Sequence, residues 1–140
     1  MLKYSENKQN IFEVGKEYYL AHCISSDLEM GAGIAVPMKK KFKLTNGIAL
    51  TGESCSHPTC ILCNRVFNLI TKKKYHGKPT YITIQTSLEK MRDIVIEQQV
   101  KKVAMPKIGC GLDRLQWGRV REIIKDVFGD LDIEVKICYL

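Results

Sequence analysis

The chain has 140 residues, of which 45% are hydrophobic and 26% charged. This length and balance predict one globular domain over residues 1–140 and argue against a disordered chain. The net charge of +7 at pH 7 favours an anionic partner such as a nucleotide or a nucleic acid, although a solubilising surface explains it equally well. The N-terminal segment MLKYSENKQNIF lacks a secretory signal core, and no apolar run approaches membrane-spanning length. We therefore expect a cytoplasmic monomer with no membrane partner and with reduced cysteines.

The first half of the chain predicts strands and one short helix. LKYS near the start and residues 18–24 are rich in aromatic and β-branched residues, which is typical of strands. Residues 34–42 predict a helix, in which Pro37 is tolerated only in the first turn. Residues 65–71 and 102–106 predict two further strands.

Two amphipathic helices and a last strand complete the pattern. The first helix has an apolar face at three- and four-residue steps, and Thr80 can cap its start; this face consists of Tyr81, Ile84, Leu88, Met91 and Val95. The second helix contains Val120, Ile123, Ile124 and Val127, and Gly129 can end it. DIEVKICY predicts the final strand. Strands that alternate with such helices favour a three-layer α/β fold, in which ligands bind beyond the strand ends.

A cluster of possible metal ligands lies in SCSHPTCILC, which contains Cys55, His57, Cys60 and Cys63. Thiolates and imidazole bind zinc, and the spacing of the last two cysteines is permitted. The first pair is too close for the usual zinc knuckle, and no second CxxC follows. We favour a hairpin that turns over residues 56–59, with the cysteines acting as small hydrophobic strand residues, and we predict no metal site.

The first candidate loop follows the strand over residues 18–24 and contains the segment MGAG. Gly31 and Gly33 would allow the backbone to approach a ligand closely, and the start of the next helix favours a phosphate. Asp27 can accept a hydrogen bond from a ribose hydroxyl or act as a plain turn residue. A Gly-Ala-Gly segment alone is weak evidence, because many such turns carry glycine only for its conformation.

The second and third candidate loops carry potential catalytic groups. Lys72 directly follows a strand end, and neighbouring cations can lower the pKa of a lysine enough to make it a nucleophile. A run of lysines is, however, usually a solvated surface. In KIGCGLD, Gly109 and Gly111 permit a path that wraps a diphosphate with backbone amides. Asp113 can serve as a general acid or base there, or cap the following helix.

Four further residues have more ordinary expected roles. His22 lies inside a predicted strand and is expected to be a structural histidine. Arg114, Leu115 and Trp117 are expected to anchor the third loop, since a single tryptophan usually packs against the core.

The three loops, in this order, resemble the macrodomain family. The resemblance is carried by AHCISSDLEMGAGIAVPMKKKF, LITKKKYHGKPTY, SLEKM, MPKIGCGLDRLQW and the terminal YL, and it covers essentially the whole chain. It is closest to the terminal ADP-ribose protein glycohydrolase branch, to which DarG-type antitoxin macrodomains are related. The resemblance implies a three-layer α/β/α fold with a mixed central sheet, an ADP-ribose pocket and no cofactor.

The resemblance also implies a role for individual residues. Lys72 matches the lysine that attacks the C1 carbon of the distal ribose and forms a covalent intermediate, and Asp113 matches the acid that supports its formation and resolution. The implied ADP-ribose-binding residues are Asn10, Ile11, His22, Ser25, Asp27, Met30, Gly31, Ala32, Gly33, Ile34, Thr71, Pro106, Ile108, Gly109, Cys110, Gly111, Leu112, Tyr139 and Leu140.

Two positions depart from the family pattern. The usual Gly-Asp-Leu-Phe segment after the first strand is Gln9-Asn10-Ile11-Phe12 here, so that a neutral Asn10 would accept the hydrogen bond of the adenine amino group and bind it less strongly than an aspartate. The usual proline-arginine pair before the glycine loop is Pro106-Lys107.

The resemblance implies an enzyme that removes mono-ADP-ribose from modified glutamate or aspartate side chains of a protein. Three alternatives stay open. The chain could act on ADP-ribosylated DNA, for which its basic charge would be an advantage. It could bind ADP-ribose without chemistry, although the presence of both Lys72 and Asp113 argues against this. It could bind nucleic acid alone, although no standard recognition motif is present and base stacking has few aromatic candidates.

Overall fold

A single mixed sheet organises the protein. The computed structural model describes residues 1–26, 30, 33–44, 58–73, 77–110 and 114–140. The strands are β1 (Lys3–Lys8), β2 (Tyr19–Ser25), β3 (Thr59–Cys63), β4 (Val66–Lys72), β5 (Lys102–Met105) and β6 (Glu134–Tyr139), and their order across the sheet is β1-β6-β5-β2-β4-β3. Every neighbouring pair is parallel except β3 and β4. The other five strands therefore run in one direction.

The helices within the described residues lie close to their predicted positions. They are a short 3-10 helix (Ile11–Glu13), α1 (Ala35–Phe42), α2 (Tyr81–Gln98) and α3 (Trp117–Phe128). Thr80 caps α2 as predicted: its hydroxyl accepts from the Thr83 amide at 3.1 Å, and its own amide donates to the Thr83 hydroxyl at 2.9 Å. Gly129 ends α3, but with φ −57°. The helix therefore ends without the left-handed glycine turn on which the prediction was based.

Side-chain alternation along the strands separates two cores. In β4, Phe67 and Leu69 pack in the core that contains α2 and α3 residues, whereas Val66 and Ile70 pack in the core that contains α1 residues. Helices therefore cover both faces of the sheet, and the predicted three-layer α/β/α architecture with a mixed sheet is confirmed. No helix within the described ranges is long and apolar enough to cross a membrane.

The hairpin that the structure describes near the cysteines joins β3 to β4. It turns at Asn64 and Arg65, whose φ angles are 50° and 66°. Of the turn predicted over residues 56–59, Thr59 instead belongs to β3, and residues 56 and 57 lie outside the described ranges. Two consecutive left-handed residues make the tight turn that matches the twist of paired strands. Cys60 packs in the α2–α3 core and Cys63 in the α1 core, so both are buried strand residues and they cannot bind one ion together. Cys55 and His57 lie outside the described residues.

Edge strand β1 is attached to α3 by a partly buried group of hydrogen bonds to the Glu6 carboxylate. Its carboxylate accepts from Arg121 at 2.6 and 3.2 Å and from the Trp117 indole at 3.1 Å, and the Tyr4 hydroxyl also donates to it. The Arg121 hydrogen bond, together with those from Tyr4 and Trp117, lowers the pKa of Glu6 to about 2 despite an opposing effect of burial. Trp117, the first residue of α3, also packs against the α2–α3 core, as predicted for a single tryptophan, and its hydrogen bond to Glu6 was not predicted.

Replacement of Glu6 tests this attachment. We expect Glu6→Gln to lower the free energy of unfolding at pH 7 by about 1–2 kcal/mol, since hydrogen bonds to a charged group are stronger than neutral ones but this group is partly exposed. Because folding lowers the pKa of Glu6, its ionised carboxylate stabilises the folded protein fully at pH values above 4.5, the ordinary pKa of the group. This stabilisation is lost as the pH falls towards 2. The difference between the proteins should therefore shrink over that range in urea unfolding.

The matched control is Glu122→Gln, an exposed carboxyl of α3 next to Arg121 in the sequence. It should leave the unfolding free energy unchanged within about 0.5 kcal/mol. An equal loss in both variants would contradict a specific role for Glu6.

Candidate active site

The carboxyl ends of the five parallel strands lie at one edge of the sheet, and the predicted site residues collect there. Those within the described residues are Asn10, Ile11, Ser25, Met30, Gly33, Ile34, Thr71, Lys72, Pro106, Ile108, Gly109, Cys110, Tyr139 and Leu140, at or beyond the ends of these strands. The three candidate loops leave β2, β4 and β5, which form the adjacent strands β5-β2-β4. Asp27, Gly31, Ala32, Gly111, Leu112 and Asp113 lie outside the described residues.

Lys72 is the last residue of β4 and follows a β-bulge. Ile24 of β2 pairs with Ile70, but Ser25 pairs with Lys72, so that Thr71 is an extra residue in β4. A bulge changes the direction of the side chains that follow it. The Thr71 side chain is 1% exposed, and its hydroxyl has no hydrogen-bond partner among the described residues. The bulge thus presents the half-buried Lys72 at the sheet edge beside a buried hydroxyl.

Ser26 fixes the backbone around Lys72. Its amide donates to the Lys72 carbonyl at 2.9 Å, and its hydroxyl donates to the Lys73 carbonyl at 2.7 Å. Both residues that follow the bulge are therefore held against the end of β2. Ser26 was not among the predicted site residues; the available signal in the sequence was a second serine directly after the predicted strand.

The first loop contains two left-handed residues around the segment that leads to α1. Met30 is 5% exposed with φ 41°, and Gly33 has φ 60°. Left-handed backbone at a non-glycine residue is uncommon and marks a tightly determined path. At the start of α1, Ile34 makes no side-chain cap hydrogen bond within the described residues. Val36 donates its amide hydrogen to the Gly33 carbonyl at 3.3 Å and Pro37 has no N–H, which leaves the Ala35 amide suited to an anionic group.

The third loop is closed by its own backbone. Gly109 has φ 74°, and its carbonyl accepts from the Leu115 amide at 2.7 Å. A Cβ at Gly109 would lie 3.0 Å from Cδ1 of Leu115 and 3.4 Å from Cδ1 of Ile84. Glycine is therefore required both by conformation and by packing. In the sequence, Asp113 lies between these two bonded residues.

The predicted roles of Asp113, as an acid–base or as a helix cap, concern a residue outside the described ranges; the residue at the N-cap position of α3 is Gln116. Gln116 makes no side-chain cap bond among the described residues. Leu115 packs against the α2–α3 core, in agreement with its predicted anchoring role.

The other end of the edge is formed by β1 and β6. The Gln9 amide donates to the Tyr139 carbonyl at 2.8 Å, and the Lys107 ammonium lies 4.4 Å from the centre of the Tyr139 ring. The side-chain oxygen of Asn10 accepts from the Phe12 amide at 3.0 Å. An amide oxygen has two lone pairs, so this capping bond leaves one for a ligand.

His22 is placed differently from the other predicted site residues. It lies within β2, is 0% exposed and contacts Asn68 at 2.7 Å. The Asn68 amide group donates to the Ile61 and Val66 carbonyls, so its oxygen accepts from Nε2–H of His22. Burial lowers the pKa of His22 to about 4, and the ring is neutral near pH 7. This placement favours the structural role over direct contact with a ligand.

Comparisons with known proteins agree with this architecture. The family model described as "Macro domain" matches residues 20–124. The human protein named "ADP-ribose glycohydrolase OARD1" is 43% identical over 133 residues, which cover 93% of this chain and 87% of the relative. The cattle protein of the same name is 41% identical over the same shares.

Solved structures support the fold. The macrodomain of Mycobacterium tuberculosis DarG has a TM-score of 0.84 at 19% identity, and the alignment covers 100% of this chain and 98% of that one. Thermosipho africanus DarTG, solved in complex with ADP-ribose, has a TM-score of 0.74 at 18% identity. The alignment covers 89% of this chain and 39% of the DarTG chain. The family model, the human relative and the three-layer fold together show that this chain belongs to the macrodomain family.

Proposed function

We propose that the protein is an ADP-ribose glycohydrolase that releases mono-ADP-ribose from esterified glutamate or aspartate side chains of a protein. The observation that carries the proposal is the parallel register, which puts Lys72 beside Ser25 at the sheet edge that also bears the left-handed turns at Gly33 and Gly109. The human relative that is 43% identical is named an ADP-ribose glycohydrolase, which supports the reaction class of the proposal.

In the proposed complex, the two glycine turns bind the diphosphate. The Ala35 amide at the start of α1 and the backbone of the Gly109 loop are donors for its oxygens, because an anion is stabilised by convergent N–H groups. The adenine lies towards Asn10 and Tyr139, and the distal ribose towards Ser25, Met30 and Thr71. The loop residues 31, 32, 111 and 112 complete this binding surface.

In the proposed reaction, the neutral amine of Lys72 attacks C1 of the distal ribose. The N–C1 bond forms as the C1–O bond to the substrate carboxyl breaks, and the carboxylate leaves with the electron pair. Asp113 takes the proton that the nitrogen loses and returns it when water hydrolyses the N–C1 bond, which frees ADP-ribose and regenerates Lys72. This is nucleophilic catalysis assisted by a general acid–base.

Release of free ADP-ribose from a glutamate-ADP-ribosylated protein tests the reaction. We expect Lys72→Ala to lower the rate by at least about 1000-fold, since the nucleophile is removed, and Asp113→Asn to lower it by about 100- to 10000-fold. Binding of ADP-ribose to Lys72→Ala, measured by calorimetry, should persist.

The matched control is Lys101→Ala. Lys101 is exposed and precedes β5 at the opposite edge of the sheet, so this variant loses the same charge and should retain wild-type activity. Wild-type turnover by Lys72→Ala would contradict the lysine mechanism. Tight ADP-ribose binding by a wild-type protein that releases nothing would identify a non-catalytic binding module.

Replacement of Gly109 by alanine, with Gly118→Ala as the control, tests whether the Gly109 loop binds the diphosphate. Gly109→Ala places a side chain in left-handed backbone and against Leu115, so we expect a loss of at least about tenfold in ADP-ribose affinity and a lower melting temperature. Gly118→Ala in α3 meets no atom within 4 Å and should stabilise the protein by up to about 1 kcal/mol. Equal ADP-ribose affinity in both variants would remove the Gly109 loop from the binding site.

ADP-ribosylated DNA is the second candidate substrate, favoured by the exposed lysines of α1. Lys40, Lys41 and Lys43 are exposed on and just after the helix that begins beyond Gly33. On single-stranded ADP-ribosylated DNA, phosphate contacts would make activity fall by at least about tenfold between about 50 and 200 mM salt, with less than about a twofold change on the protein substrate. Equal salt dependence on both substrates would argue against a role for the DNA backbone.

A further inference from the structure

Tyr81 joins the two segments that follow the proposed catalytic residues. It is the first residue of α2, which follows the loop after Lys72, and the capping pair Thr80–Thr83 fixes its position. The amide of Gln116, the N-cap residue of α3, donates to the Tyr81 hydroxyl at 3.0 Å. One hydrogen bond therefore connects the start of α2 with the end of the loop that carries Asp113.

A residue at the start of α3 also contacts the Tyr81 ring. The Arg119 guanidinium, in the first turn of α3, lies 4.0 Å from the ring centre. A guanidinium over an aromatic face is attracted by the ring electrons, and this contact limits rotation of the ring. Its hydroxyl is thereby kept in place for the Gln116 amide.

Packing below Tyr81 extends the junction to the glycine loop. Ile84, one turn later in α2, and Leu115 both lie against Gly109, and the Leu115 amide closes the loop onto the Gly109 carbonyl. The start of α2, both ends of the loop over residues 109–115 and the start of α3 therefore form one connected unit.

We propose that Tyr81 is a positioning residue for catalysis, which holds the end of the loop that carries Asp113 against the start of α2, on the segment that continues from Lys72. This inference rests on the proposed function. The hydroxyl holds the main chain of Gln116, which follows Asp113 closely in the sequence, and Tyr81 itself lies on the segment that continues from Lys72. A displacement of about 1 Å between two catalytic groups is enough to lower a rate by about 100-fold.

The chain offers a matched control in Tyr19. Its ring also lies under an arginine, Arg65, at 4.1 Å, and also faces a core residue, Phe67. It begins β2 at the opposite edge of the sheet, and its hydroxyl bonds to no described residue. Tyr81→Phe and Tyr19→Phe therefore remove the same hydroxyl oxygen from similar surroundings. Only Tyr81→Phe also removes the hydrogen bond to the Gln116 amide.

The test is the steady-state release of ADP-ribose from a glutamate-ADP-ribosylated protein, with urea unfolding of each variant. Tyr81→Phe should lower kcat by about tenfold or more with KM and ADP-ribose affinity within about twofold, and its unfolding midpoint should match that of Tyr19→Phe. Tyr19→Phe should keep wild-type kcat. In an Asp113→Asn background, Tyr81→Phe should cause no further loss, because its effect passes through Asp113.

Two results would overturn the inference. The first is a kcat for Tyr81→Phe equal to that of Tyr19→Phe while Lys72→Ala is inactive, which leaves the proposed reaction intact. The second is an undiminished loss in the Asp113→Asn background, which places the action of Tyr81 elsewhere. Full activity of Lys72→Ala would instead refute the proposed reaction itself, whatever Tyr81→Phe does.

Discussion

The parallel pairing of five strands is the constraint on which the site depends. Strands that run in one direction deliver their carboxyl ends to one edge, and each must be followed by a segment that turns over that edge. Residues as distant in the chain as Asn10, Lys72 and Tyr139 thereby reach the same side of the molecule. The antiparallel β3 pairs outside β4 and ends the sheet without disturbing this arrangement.

Local features of the backbone then set the orientation of the residues at the carboxyl ends of the strands. The extra residue at Thr71 redirects the end of β4, and Ser26 holds the two carbonyls beyond it. Gly109 lets the loop after β5 close on Leu115, and the Tyr81–Gln116 bond relates that loop to α2. The hydrogen bonds among them involve main-chain groups that would otherwise bond to water. The same bonds therefore orient the site and satisfy the backbone.

Much of this architecture was predictable because its signals are local and periodic. The apolar spacing of α2, its Thr80 cap and the alternating strands were apparent in the sequence, and the glycine loops marked the edge. The hairpin turn at Asn64 and Arg65 was missed because neither residue is the glycine that usually adopts left-handed backbone. The bulge at Thr71 and the partners of Ser26 and Tyr81 depend on register between distant segments, and no local pattern specifies it.

The most direct test of the proposed reaction is the mass of the protein during turnover. Asp113→Asn, mixed with a glutamate-ADP-ribosylated protein and quenched by reduction, should gain the mass of one ADP-ribosyl group, and peptide mapping should place it on Lys72. Slow hydrolysis of the adduct in this variant is the reason for its accumulation. Consumption of the substrate with no adduct, or an adduct only on another lysine, would contradict the account.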